Sequence, residues 1–209
     1  MRIVALFVAV LLVFACMDVR ATDTAPIRVT PCELLSDPGH YDHALVQVYG
    51  LVSYAFEQFD MSEGDCKPKD GMMITGLWLE YGGKRQSQTV YCCSNAVGAD
   101  REETLVVEGL RCELVDDAVF KKFDRLLHRR RESSVTATIV GRFFAGRESE
   151  IRGKRFWGGY GHMGFSSLLV VEQVLSVEPA TYAPYATTSP ATFTGPLPTL
   201  DPLLFAPTK

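Results

Sequence analysis

The pattern of hydrophobic and polar positions divides the chain into three parts. Arg2 is followed by an almost purely apolar run from Ile3 to Cys16. Between Ala44 and Val177, apolar stretches of strand length alternate with polar, glycine-containing intervals. From Pro179 onward, proline and threonine dominate and charge almost vanishes. In the middle part, Ala44 to Phe56, Met72 to Tyr81, Thr104 to Cys112, Ser134 to Ala145 and Ser167 to Val177 are rich in β-branched and aromatic residues and predict five strands. Gly50 and Gly141 fall inside two of them, as expected where a strand bends around a barrel. Asp60 to Gly71 predicts a polar loop, and Gly146 to Phe165 a long loop rich in glycine and arginine. Asp116 to Arg131 has helical spacing, with Val115, Val119, Phe123, Leu126 and Leu127 on one stripe. Its aspartates stand at the N-terminal end and Arg129 to Arg131 at the C-terminal end, which suits the helix dipole. Thr30, Pro31 and Glu33 form a helix-start pattern, and Asp37-Pro38-Gly39 stops that helix early.

The order of elements implies a mainly β protein: a five-stranded OB-fold-like barrel, with one helix between the third and fourth strands and a short N-terminal helix. Two stretches add a resemblance. Thr30 to Val52, with the pattern T-P-C-E-L-L-x-x-P-x-x-Y-x-x-x-x-V-x-V-x-G-x-V, resembles the opening of bacterial OB-fold-like domains. Gly159 to Val174, G-Y-G-H-M-G-F-S-S-L-L-V-V-x-x-V, is similar to small exported bacterial proteins. His43 follows Tyr41-Asp42 where those openings carry glycine. The resemblance spans roughly Thr30 to Val177 and implies a fold and an export route, but no activity.

A charged start, a short apolar core and small residues after it describe a secretory signal peptide over residues 1–21, with cleavage after Val19-Arg20-Ala21. A competing reading takes Val13-Phe14-Ala15-Cys16 as a lipobox, which anchors the protein to a membrane through Cys16. The folded domain is then expected over 22–178 and a disordered Pro/Thr-rich tail over 179–209. Once the signal is removed no transmembrane span is expected. Export also makes disulfides admissible. Cys32, Cys66, Cys92, Cys93 and Cys112 allow at most two of them, in 15 arrangements. Adjacent Cys92 and Cys93 pair poorly with each other. Loop placement favours Cys66 with Cys92 or Cys93, and leaves Cys32 with Cys112.

With 47 % hydrophobic and 22 % charged residues, the composition is that of a globular domain, and a net charge of −4 excludes a globally basic nucleic-acid binder. The distribution of charge is less even. Residues 121–155 hold eleven Lys and Arg against four acids, a net +7, which leaves −11 for the rest of the chain. Arg142, Arg147, Arg152 and Arg155 are interleaved there with Phe156, Trp157 and Tyr160, a mixture suited to stacking and anion neutralisation. Trp78 joins this ligand-binding set if the second strand exposes it, and His162 joins because Gly161 and Gly164 permit close approach of backbone to a ligand. The partners expected are an anionic glycan, a lipid headgroup or an acidic envelope protein, with nucleic acid disfavoured by export. No Gly-x-Ser-x-Gly, P-loop or dinucleotide fingerprint is present, and no Cys-x-x-Cys pair, so the reading is noncatalytic without metal or cofactor. Two alternatives stand beside it: a thiol hydrolase using Cys92 or Cys93 with His162, and a metal held by His40, His43 and His162.

Overall fold

Local chemistry sets the first element that follows strand β1 (Ile27–Val29). The Thr30 hydroxyl accepts from the Glu33 amide at 3.1 Å, and the Glu33 carboxylate accepts from the Thr30 amide at 2.7 Å, a reciprocal cap with Pro31 as the first helical residue. Helix α1 (Pro31–Ser36) buries Leu34 and Leu35. The computed structural model of the chain describes residues 25–63, 66, 72, 76–87 and 100–180. The apolar start with Cys16, the pair Cys92-Cys93 and the tail beyond residue 180 lie outside the described residues.

A closed five-stranded barrel follows. Strand β2 (Leu45–Ala55) pairs antiparallel with β3 (Gln58–Ser62), and β3 with β4 (Leu77–Tyr81). The remaining order across the sheet is β4, β10 (Ser167–Pro179), β7 (Ser133–Phe144), and β7 pairs back onto β2 along ten register positions. The β4–β10 pair is parallel. Strand β1 takes the part of the β2 edge that β3 leaves open. In β4 the period of two is direct: Leu77, Leu79 and Tyr81 are fully buried, while Trp78 and Glu80 point to the other face. Phe59, Met61, Ile139 and Phe143 complete the interior from the neighbouring strands.

Three expectations need correction. The barrel has five strands, but Gln58–Ser62, which runs into the start of the predicted polar loop, is one of them, and Thr104 to Cys112 is not. The latter forms a small hairpin of β5 (Val106–Val107) and β6 (Leu110–Arg111) outside the barrel. The arginine-rich loop contains another hairpin, β8 (Arg147–Ile151) with β9 (Lys154–Gly158). The cysteine pairing also differs. Cys66 bonds to Cys32, across 34 positions, so it pairs with neither Cys92 nor Cys93, and Cys112 is a buried free thiol. The bond joins α1 to the chain after β3, two segments that the topology places side by side.

Helix α2 (Ala118–Leu127) lies between β6 and β7 in the chain. The Asp117 carboxylate caps it by accepting from the amides of Val119 and Phe120 at 2.9 and 2.8 Å. Its buried residues are Phe120, Phe123 and Leu127, so the apolar stripe is turned from the predicted one: Phe120 enters and Val115 stays exposed. The large ring decides this, because Phe120 stands edge-on to Tyr81 at 5.0 Å, and Tyr81 in turn to Phe59 at 5.4 Å.

The C-terminal cap of α2 gives a pH-dependent prediction. His128 Nδ1 faces the carboxylate and the carbonyl of Asp124, at 3.1 and 2.9 Å, and Nε2 faces the carbonyl of Ser87 at 3.1 Å. All three partners only accept, so the geometry wants a proton on both ring nitrogens. Burial opposes charge on both groups, but the mutual hydrogen bonds outweigh it. The His128 imidazole is therefore raised above its usual value and the Asp124 carboxyl lowered below its own. The His128 contribution is complete below about pH 6.5 and is lost as pH rises through the raised folded value. The Asp124 contribution is complete above about pH 4 and is lost as pH falls through the lowered one. Thermal unfolding followed between about pH 6 and 9 is expected to show a loss of about 1–2 kcal/mol, the scale of a partly buried His at a helix C-terminus. His128→Gln is expected to flatten that slope; an unchanged slope contradicts the assignment.

Candidate functional site

After β4 the chain leaves the barrel through Gly82-Gly83 and returns over the outside of β4 and β10. The Gly82 amide donates to the Val171 carbonyl at 2.9 Å and the Val115 amide to the Glu172 carbonyl at 2.8 Å. Between these two anchors, Leu105 bonds to Gly83 and Cys112 to Leu105, both at 2.9 Å, which holds the β5–β6 hairpin as a flap. The flap turns at Glu108-Gly109, both in the left-handed region (φ +49° and +81°). Its tip is fastened to two other segments. Glu108 Oε2 lies 2.7 Å from His43 Nε2, and the Tyr160 hydroxyl donates to Glu108 Oε1. Those bonds, the one from Tyr160 foremost, hold the Glu108 carboxyl below the ordinary range. Burial, then the neighbouring Glu108, pushes the Tyr160 phenol up.

A cleft of about 510 Å³ opens between flap and barrel. Trp78 and Leu168 contribute from the outer face of β4 and β10, Leu105, Val106 and Val107 from the flap, and Tyr160 from the segment before β10. Its polar part is a pre-set ion pair. Arg101 Nη2 lies 3.1 Å from Glu80 Oε1, which also accepts from the amides of Tyr81 and Ser87 at 2.8 and 3.1 Å. The Ser87 hydroxyl donates to the other oxygen of Glu80 at 3.1 Å, and Arg101 donates to the Tyr81 carbonyl at 3.1 Å. Gln86 also lines the cleft, and its buried Oε1 accepts no hydrogen bond among the described residues. The cleft thus offers apolar and aromatic walls beside two carboxylates, Glu80 and Glu108, a guanidinium and an acceptor, within the volume range of small-ligand sites.

The predicted ligand-binding residues are distributed unevenly around it. Trp78 is 6 % exposed, because Gly161 lies on its indole ring, but its edge still lines the cleft with Tyr160. A Cβ at Gly161 (φ +69°) falls 2.6 Å from Trp78 Cε3, so only glycine brings the backbone this close. Phe156 is 5 % exposed and packs on Phe165, ring centres 5.7 Å apart, inside its hairpin. Trp157 is half-buried, its ring 3.2 Å from where a Cβ on Gly39 would stand. Arg142 lies on the outer barrel face, its Nε 3.5 Å from Glu172 and its Nη1 donating to the His43 carbonyl at 3.2 Å. Arg147, Arg152 and Arg155 stand exposed on the β8–β9 hairpin, where Arg155 pairs with Glu148 at 3.0 Å. His162 Nδ1 lies 3.7 Å from Glu57 Oε2, which ties the β2–β3 turn to the segment that precedes β10.

The basic segment does not form one patch. Arg129 and Arg130 border a second cleft, of about 810 Å³, near Tyr54 and the exposed Phe56 at the start of β7. The hairpin arginines follow the other end of β7, roughly 35 Å of strand away. The three histidines are likewise apart: His40 stands edge-on to Tyr41, His162 faces Glu57, and His43 faces Glu108. Sequence reasoning missed Glu80, Gln86, Arg101 and Glu108. His43 holds a left-handed backbone (φ +63°), a conformation kept at a cost outside glycine. Among the described residues no helix is long and apolar enough to cross a membrane. Comparison with protein-family models, with curated proteins and with solved structures finds no match to this chain.

Proposed function

We propose that the chain is an exported, noncatalytic binding module built on an OB-fold, and that the flap cleft takes an anionic glycan of the cell envelope. The observation that carries this reading is the convergence in one cleft of Trp78, Tyr160 and the Glu80–Arg101 pair. The spatial strand order first, second, third, fifth, fourth, closing on the first, supports the OB reading, as does a helix between the third and fourth barrel strands. In that fold the second and third strands, with the loops after the first and fourth, form the binding face. Here the β2–β3 turn and the connection carrying the β8–β9 hairpin meet through Glu57 and His162. The apolar run from Ile3 to Cys16 supports export, and the Cys32–Cys66 bond suits an oxidising compartment. A cleft of this size holds one or a few sugar rings rather than the face of an acidic protein, and Arg147, near enough to act on Glu108 and Tyr160, supplies positive charge for acidic groups.

The test is binding of uronic-acid oligosaccharides, their neutral counterparts and anionic lipid vesicles to the purified protein. The acidic oligosaccharides are expected to bind most tightly. Tyr160→Ala and Arg147→Glu are each expected to weaken that binding about tenfold, the equivalent of 1.4 kcal/mol. Equal affinity for neutral and acidic oligosaccharides, preference for the vesicles, or no effect of either substitution overturns the proposal.

A further inference from the structure

We infer that Asp42, His43 and Glu108 form a divalent transition-metal site of the zinc type at the rim of the cleft, and that the ion pins the flap to the barrel. This inference is independent of the glycan reading. One ring nitrogen of His43 and one carboxylate oxygen each of Asp42 and Glu108 lie within 4.8 Å of one another. His43 Nε2 is 2.7 Å from Glu108 Oε2 and 4.0 Å from Asp42 Oδ2. The two spacings, 2.7 and 4.0 Å, bracket the roughly 3.3–3.6 Å between ligand atoms of a tetrahedral ion bound at ~2.0–2.2 Å, so His43 and Glu108 spread apart and Asp42 draws in to hold it. The imidazole selects a transition metal over calcium, and both carboxylates supply the charge.

Each ligand is also held from behind, as metal ligands are. The far oxygen of Asp42 accepts from the Ala145 amide at 2.9 Å, which leaves Oδ2 towards His43. The far oxygen of Glu108 accepts from the Tyr160 hydroxyl, which leaves Oε2 towards His43. The His43 ring stands edge-on to Phe144 with centres 5.5 Å apart. His43 and Glu108 are 65 positions apart, on the barrel entry and the flap tip, so an ion shared between them joins two elements that otherwise meet at a hydrogen bond.

The experiment is titration of the full chain with Zn²⁺ alone by calorimetry, with Co²⁺ substitution read by absorption. One equivalent is expected to bind, with a visible cobalt spectrum lacking a thiolate charge-transfer band. His43→Ala and Glu108→Gln are expected to abolish uptake at this site, and Tyr160→Phe, which keeps all three ligands, to weaken it by about 10–100-fold. Circular dichroism of each variant separates loss of the site from loss of the fold, and Glu108→Gln at the exposed flap tip leaves the barrel untouched. Absence of saturable uptake, uptake retained in both ligand variants, or a thiolate band overturns the assignment.

Discussion

Gly141→Ala is expected to lower stability by about 3 kcal/mol or more, measured as the change in urea unfolding, because it strikes the seam that closes the barrel. Strand β7 is paired on both sides, with Gly141 opposite Val46 of β2 and Val171 of β10. A Cβ there falls 2.2 Å from the Val170 carbonyl oxygen, a backbone atom that no rotamer can move aside. The β7–β10 ladder is already irregular next to this point, with a register shift between Val171 and Gln173. Gly153 makes the control. It stands in the tip of the β8–β9 hairpin with nothing within 4 Å of an added Cβ, and only its backbone angle (φ +76°) resists substitution. Gly153→Ala is expected to cost about 1 kcal/mol. A Gly141→Ala cost no greater than that contradicts the close approach of β7 and β10.

Removing the Cys32–Cys66 bond is the second large expected effect. The bond closes a loop over a sequence separation of 34, which on the chain-entropy account corresponds to about 4 kcal/mol. Cys32→Ser with Cys66→Ser is expected to lower unfolding stability by that amount. A reductant is expected to lower the natural protein similarly and the double variant hardly at all. The remaining described thiol does not compete. Cys112 is fully buried beside the flap, and burial, followed by the charge of Glu172, pushes its pKa up to about 11. It is therefore expected to resist alkylation until the protein unfolds. Stability indifferent to reductant, or a partner for Cys66 other than Cys32, contradicts the pairing.

Where the sequence misled, the reason was a missing local signal. The run through Ala44 to Phe56 and on to Ser62 is two strands, joined by a two-residue turn at Phe56-Glu57. Glu57 holds φ +60°, a place where Gly or Asn usually announces the turn, so nothing in the residues marked it. Strand β8 is exposed along its whole length, and without a buried face it shows no alternation that a pattern could detect. The flap carried a legible break, Glu108-Gly109, inside what otherwise reads as one strand.

The site was legible only in its aromatic part. Trp78 and Tyr160 declare themselves as residues that seek contact, whatever their neighbours. Glu80, Arg101 and Glu108 are ordinary charged residues until the fold brings them together. Glu80 meets Arg101 because the flap returns over β4, and Glu108 meets Tyr160 across 52 positions. Cysteine spacing failed likewise, since the choice of partner depends on which loops the barrel places side by side. The charge excess over residues 121–155 is real in composition, but the length of β7 separates its helical and hairpin parts.

The central claim, that the flap cleft is the ligand site, is tested most directly through its tryptophan. The chain has two, so Trp157→Phe leaves Trp78 as the sole indole, at the cleft wall. Titration of that variant with a uronic-acid oligosaccharide is expected to shift the Trp78 emission saturably, at the concentrations where binding is measured by calorimetry. Binding by calorimetry without any change at Trp78, or no binding at all, contradicts the cleft as the site.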